Sequence, residues 1–125
     1  MPRTEDISMH PYISCLFSLA VKPEELPEFK ALISKIVAAT QQEPGTLIYE
    51  YSVNEDNSTV HILERYNVDS VVSHVDITFA PFGERFLELC TVTGLVVYGT
   101  PDAEIRKRLD PFGAVYMTPF DGFSR

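Results

Sequence analysis

The chain has 125 residues, 45% of them hydrophobic, and 18 acidic against 10 basic side chains give it a net charge of -8. That length and composition fit one folded domain spanning 1–125 and exclude a disordered segment. Phosphate backbones and anionic membrane surfaces need basic partners, so neither nucleic acid nor a membrane is an expected partner.

Cys15 and Cys90 are the only cysteines. They sit in apolar stretches far apart and read as buried free thiols, and no Cys/His spacing suits a zinc site. Met1 to Asp6 has no apolar stretch behind a basic region, so no signal peptide is expected. No apolar run approaches the roughly 18 residues of a spanning helix. The expected location is cytoplasmic.

From Tyr12 to Val21 the chain alternates. Ile13, Cys15, Phe17, Leu19 and Val21 form an apolar face, and Tyr12, Ser14, Leu16, Ser18 and Ala20 a mixed one, which predicts a strand. Lys22-Pro23-Glu24-Glu25 opens a helix, with Leu26, Phe29, Ile33, Ile36, Val37 and Thr40 on one stripe; it should end near Gln42, before Pro44-Gly45. Thr46 to Val53 and Thr59 to Tyr66 read as strands joined by the polar turn Asn54–Ser58. Asn67 is placed to cap a second helix through Val71, Val72 and Val75. A helix resumes from Pro81 to Cys90, with Pro81 breaking or bending the stretch between. Thr91 to Gly99 is a fourth strand. Thr100 as cap and Pro101 in the first position start a short last helix, and Ala114 to Met117 offers a short fifth strand. The tail through Phe120 and Phe123 is aromatic and is expected to dock on its own domain or on a partner subunit.

Strand, helix, strand, strand, helix, strand is the α+β order of the ferredoxin-like split βαβ fold: an antiparallel sheet with helices on one face. The core spans about 12–99, and 100–125 is a C-terminal extension. In the fourth strand Val92, Val96 and Tyr98 are read on one side, and Leu95 and Val97 on the other. With both sheet faces apolar, a second subunit is the natural cover, which predicts a homodimer.

Glu43-Pro44-Gly45-Thr46-Leu47 followed by Tyr49-Glu50, then Glu64-Arg65-Tyr66, and then His74 on the following helix, resemble the antibiotic-biosynthesis monooxygenase family. The resemblance implies a dimeric α/β barrel. It also implies oxygenation of an electron-rich aromatic, a quinol or a polycyclic phenol, with neither metal nor flavin. The haem-degrading branch matches poorly. The first strand has no Asn, the chain has no Trp, and Glu84 stands where the iron-ligating His would fall.

Oxygenation without a cofactor needs a base, a dry pocket and hydrogen bonds that hold a phenolate. His74 is the expected base, since imidazole is available unprotonated near pH 7, with Tyr66 and Glu64 as its catalytic companions. With the hairpin centred near Asp56, Tyr51 faces His61, Tyr49 faces Leu63 and Leu47 faces Arg65 on one side. Ile48, Glu50, Ile62, Glu64 and Tyr66 then share the other. Tyr49, Tyr51, Glu50, His61, Arg65 and Ser18 are the candidate substrate-binding residues. The competing reading is a non-catalytic dimeric module that binds a small hydrophobic ligand or a partner protein. A pocket holding His74 and a tyrosine hydroxyl favours the enzyme; a filled core there favours the module.

Overall fold

A computed structural model describes residues 11–125 of the chain. The Met1–Asp6 segment, expected to carry no signal peptide, lies outside the described residues. Five strands, β1 (Tyr12–Ala20), β2 (Thr46–Val53), β3 (Thr59–Asn67), β4 (Thr91–Tyr98) and β5 (Val115–Met117), form one sheet in the order β2-β3-β1-β4-β5. The first four pair antiparallel, and β5 adds a parallel edge beside β4. Helices α1 (Leu26–Thr40), α2 (Val71–Ser73), α3 (Ala80–Leu89) and α4 (Ala103–Leu109) accompany it. This is the α+β, ferredoxin-like arrangement expected from the element order.

The alternation in β1 decides which face is covered. Ile13, Cys15 and Leu19 are buried, together with Val60, Ile62 and Tyr66 of β3 and Leu95 and Val97 of β4. Phe29, Ile33 and Ile36 of α1 and Phe86 and Leu89 of α3 pack onto this inner face. A side chain such as Phe29, 2% exposed, contributes roughly 2–3 kcal/mol by its burial. The C-terminal extension is part of the packing. Ile105 and Leu109 of α4, four residues apart on one helical stripe, sink into a second cluster with Ile13, Cys15 and Tyr66. Gly99 ends β4 at φ +134°, and a Cβ there would stand 2.7 Å from the Tyr12 carbonyl oxygen, so only glycine fits this exit.

Several expectations are corrected. Tyr49 lies opposite Glu64, Glu50 opposite Leu63, Tyr51 opposite Ile62, and Ser52 opposite His61. The β2–β3 register is therefore one residue from the expected one. Tyr49 and Tyr51 join Ile62, Glu64 and Tyr66 on the inner face, and Glu50 moves to the outer face with His61, Leu63 and Arg65. A register irregularity between Ser18 and Leu19 pairs Leu19 with Val92, which turns Val92 inward, away from Val96 and Tyr98.

Pro81 does not break the helix. The chain runs from α2 through a π-helical stretch, His74–Phe79, directly into α3. Proline lacks an N–H and crowds the carbonyl one turn back, and the wider π turns just before it give room for both. Asn67 makes no side-chain cap. In α4 the capping side chain is Asp102, which accepts from the Ile105 N–H at 3.0 Å, and not Thr100. Phe120 and Phe123 are 87% and 80% exposed, so the tail's rings do not dock on their own domain.

Candidate functional site

Between the inner sheet face and the helices lies a cavity that leaves about 80 Å³ for the centres of water-sized molecules. Its walls are almost wholly apolar. Cys15 and Phe17 come from β1, Tyr49 and Tyr51 from β2, Ile62, Glu64 and Tyr66 from β3, His74 and Phe79 from the π stretch, and Leu109 and Phe112 from the extension. Phe17 and Phe112 meet edge to face, their centroids 5.9 Å apart, and close one end.

His74 is 5% exposed. Its Nδ1 lies 3.0 Å from Glu43 Oε1, which also accepts from Thr46 Oγ1 at 2.6 Å, while Thr78 Oγ1 donates to Glu43 Oε2. His74 and Thr78 are four residues apart on the π stretch, so the local helix geometry aims both at one carboxylate. Burial lowers the His74 pKa below the usual imidazole value, and the neighbouring Glu43 carboxylate opposes this only in part. Near neutral pH the ring is therefore uncharged. Its Nδ1–H donates to Glu43, and Nε2 is left unprotonated and without a protein partner. Since no partnerless side-chain nitrogen or oxygen among the described residues is sealed from open space, Nε2 reaches the cavity that the ring lines. The aromatic rings of Tyr49, Tyr66 and Phe79 surround the imidazole at centroid distances of 5.4, 5.1 and 6.2 Å.

Glu64 is 6% exposed and accepts from the Tyr66 hydroxyl at 2.6 Å. Burial drives its pKa up to about 8; the Tyr66 hydrogen bond pulls the other way, and the charge of Glu43 adds to the rise. At pH 7 it is a neutral carboxylic acid. The Tyr49 and Tyr51 hydroxyls bond each other at 2.8 Å, and burial keeps both phenols protonated. Burial also pushes the Cys90 thiol up to about 12 and Cys15 higher still, so neither is a ready nucleophile. Among the described residues no three His, Cys, Asp or Glu side chains converge as ligands for a metal ion.

Five of the residues singled out in the sequence thus come together at the cavity: His74, Tyr66, Glu64, Tyr49 and Tyr51. Four do not. Glu50, His61, Arg65 and Ser18 lie on the opposite face of the sheet, where Ser18 pairs across from His61 and Arg65 donates to Ser14 Oγ at 2.9 Å. Glu50 and Glu64 therefore share no face, and the second carboxylate near Glu64 is Glu43. In the sequence Glu43 stands out only as the first residue of the Glu43-Pro44-Gly45-Thr46-Leu47 stretch that carries the family resemblance. Its role depends on a partner 31 residues away that no local pattern announces.

Residues 13–69 match the antibiotic biosynthesis monooxygenase family. Among solved structures, MupZ from Pseudomonas fluorescens superposes with a TM-score of 0.80 at 22% identity, over 93% of this chain and 96% of that one. SnoaB, a cofactor-independent oxygenase from Streptomyces nogalater, superposes with a TM-score of 0.60 at 16% identity, over 68% of this chain and 90% of its own. A conserved protein from Methanosarcina mazei gives 0.63 at 21% identity, over 74% and 95%. These likenesses establish the fold. No curated protein matches the sequence.

Proposed function

We propose that this chain, a member of the antibiotic biosynthesis monooxygenase family through residues 13–69, is a cofactor-independent monooxygenase of an electron-rich aromatic substrate. The single observation that carries the reading is His74, held by Glu43 at 3.0 Å and lining a cavity with almost wholly apolar walls. His74 Nε2 takes the proton of a substrate phenol, and the electron pair stays on the ring, which raises the electron density that oxygen draws on. A quinol or phenol carrying a CH₂ in conjugation supplies all the electrons. One oxygen atom enters as the new carbonyl, and the other leaves as water with the two hydrogens of that carbon. The open cavity beside His74 and three tyrosine hydroxyls supports an enzyme over a non-catalytic binding module. The test is oxygen uptake by purified, metal-free protein with a panel of quinols and anthrones. One mole of oxygen per mole of product is expected for the best of them; no uptake with any quinol or anthrone contradicts the reading.

A homodimer is part of the same proposal. The outer sheet face carries Leu63, Tyr98, Val115 and Met117, each roughly half exposed, and the tail turns back across it, where Arg65 Nη1 donates to Ser124 Oγ at 3.4 Å. A second copy of this chain, related by a two-fold axis, covers that face, and its contact takes in the tail together with His61, Arg65, Ser18 and Glu50. Sedimentation at micromolar concentration should show twice the 14.1 kDa chain mass; a single 14.1 kDa species contradicts this. We place the protein in the cytoplasm, in keeping with its two free cysteines. No helix among the described residues is long and apolar enough to cross a membrane.

A further inference from the structure

The reading of His74 as base leaves the second acidic group of the cavity without a task. Glu64 stands on the β3 floor, and only its Oε1 is engaged, by Tyr66. Oε2 has no partner within the protein, and no partnerless side-chain oxygen among the described residues is sealed off, so it too reaches open space. Glu64 and His74 line the same cavity, and Tyr66 touches both: its ring is tilted 45° to the imidazole at a centroid distance of 5.1 Å, and its hydroxyl donates to the carboxyl.

We infer that Glu64 is a substrate-binding hydrogen-bond donor, and that the cavity takes an aromatic molecule with two oxygens: an acidic hydroxyl directed to His74 Nε2 and a conjugated carbonyl that accepts from the Glu64 carboxyl. The inference rests on the proposed role of His74. In the bound state the substrate O–H bond breaks and an Nε2–H bond forms. The electron pair stays on the substrate and spreads onto the carbonyl oxygen. Glu64 keeps its proton and donates it only as a hydrogen bond.

The groups facing Glu64 allow this. They are Cys15 from β1, Tyr49 and Tyr51 from β2, Tyr66 on its own strand, His74 from the π stretch, and the Glu43 carboxylate beyond it. None is a fixed cation that would hold Glu64 ionised, and Glu43 opposes a second negative charge. A neutral acid in an apolar wall that donates to a developing oxyanion acts where the low dielectric makes the bond strong. A simple phenol leaves that donor unmet, and a methyl ether gives His74 no proton to take.

Anaerobic titration with para-hydroxyacetophenone, followed by phenolate absorbance, tests the inference without turnover. The wild-type protein should generate bound phenolate about one pH unit or more below the pH at which the free compound ionises. Para-methoxyacetophenone should give no such band, and phenol should bind about tenfold or more weakly. Glu64→Leu should bind the phenolate about tenfold to a hundredfold more weakly. Glu64→Gln, which keeps a donor, should stay within a few fold. As the pH rises past about 8 the free ligand loses the proton that His74 must receive, so affinity falls in both proteins, but it should fall more steeply in wild type, where Glu64 also ionises and repels the anion. No binding by wild type, equal binding of phenol and the ketone, or wild-type affinity in Glu64→Leu overturns the inference. Should the Leu variant not fold, an equally steep loss of affinity above pH 8 in wild type and Glu64→Gln overturns it. Bound phenolate with the expected carbonyl preference, but no oxygen uptake by any quinol or anthrone, upholds this inference and removes the oxygenase reading alone.

Discussion

His74→Ala is expected to lower turnover about a hundredfold to ten-thousandfold, the usual worth of a positioned general base. The expectation follows from the Nδ1 contact to Glu43 at 3.0 Å, which fixes the tautomer and leaves Nε2 for the substrate. His74→Gln should be nearly as poor, because an amide keeps hydrogen bonding but takes no proton near neutral pH. Burial lowers the His74 pKa, so the uncharged base persists below the usual imidazole range. Wild-type turnover should accordingly fall only as the pH drops below about 6.5. Steady-state oxygen uptake across this range, with circular dichroism to verify folding, is the check. Wild-type turnover in His74→Ala would make the histidine structural and move the search for a base to Glu64.

The second large effect is on stability. Glu64 is expected to release its proton at the ordinary carboxyl value of 4.5 when the chain is unfolded, and at about 8 when folded. A raised folded pKa means that the native state holds the proton more tightly. Its stabilising contribution is complete below pH 4.5 and is lost as the pH rises through 8. The difference amounts to on the order of 4 kcal/mol, a large share of the roughly 5–15 kcal/mol that holds a domain folded. Glu64→Gln does not titrate, so its stability relative to wild type should climb by about that amount between pH 5 and pH 9. His74, whose folded pKa is lowered, costs stability on the acid side in both proteins and cancels in the comparison. Urea denaturation of both proteins at the two pH values measures it. Parallel curves would show that Glu64 is ionised in the native state.

The element order was legible because each segment follows one period: two in β1, and 3.6 along Leu26, Phe29, Ile33 and Ile36. The hairpin register was not. Ile48 and Tyr49 are apolar on opposite faces of β2, and Leu63 and Ile62 on opposite faces of β3, so hydrophobicity does not distinguish one register from its neighbour. That single slip decided which candidates met His74, bringing Tyr49 and Tyr51 inward and taking Glu50 out. Pro81 signalled an irregularity at the right place, but a π stretch keeps every turn helical and leaves no mark in the side-chain pattern. Glu43 was visible as a residue and invisible as a partner, because its contacts to His74 and Thr78 cross from the α1–β2 turn to another element. The Ile105 and Leu109 stripe announced a helix, while the surface it covers, around Ile13 and Tyr66, is set only by the tertiary fold.

The proposed chemistry depends on the state of the His74 ring, and nitrogen NMR of the histidine-labelled protein reads it without a substrate. The chain has three histidines, and His61 is exposed on the outer sheet face, so the buried ring stands apart. At pH 7 the His74 imidazole should be uncharged, protonated at Nδ1 and bare at Nε2, and it should titrate below the ordinary histidine value. An imidazolium at pH 7, or a neutral ring with its proton on Nε2, would contradict it.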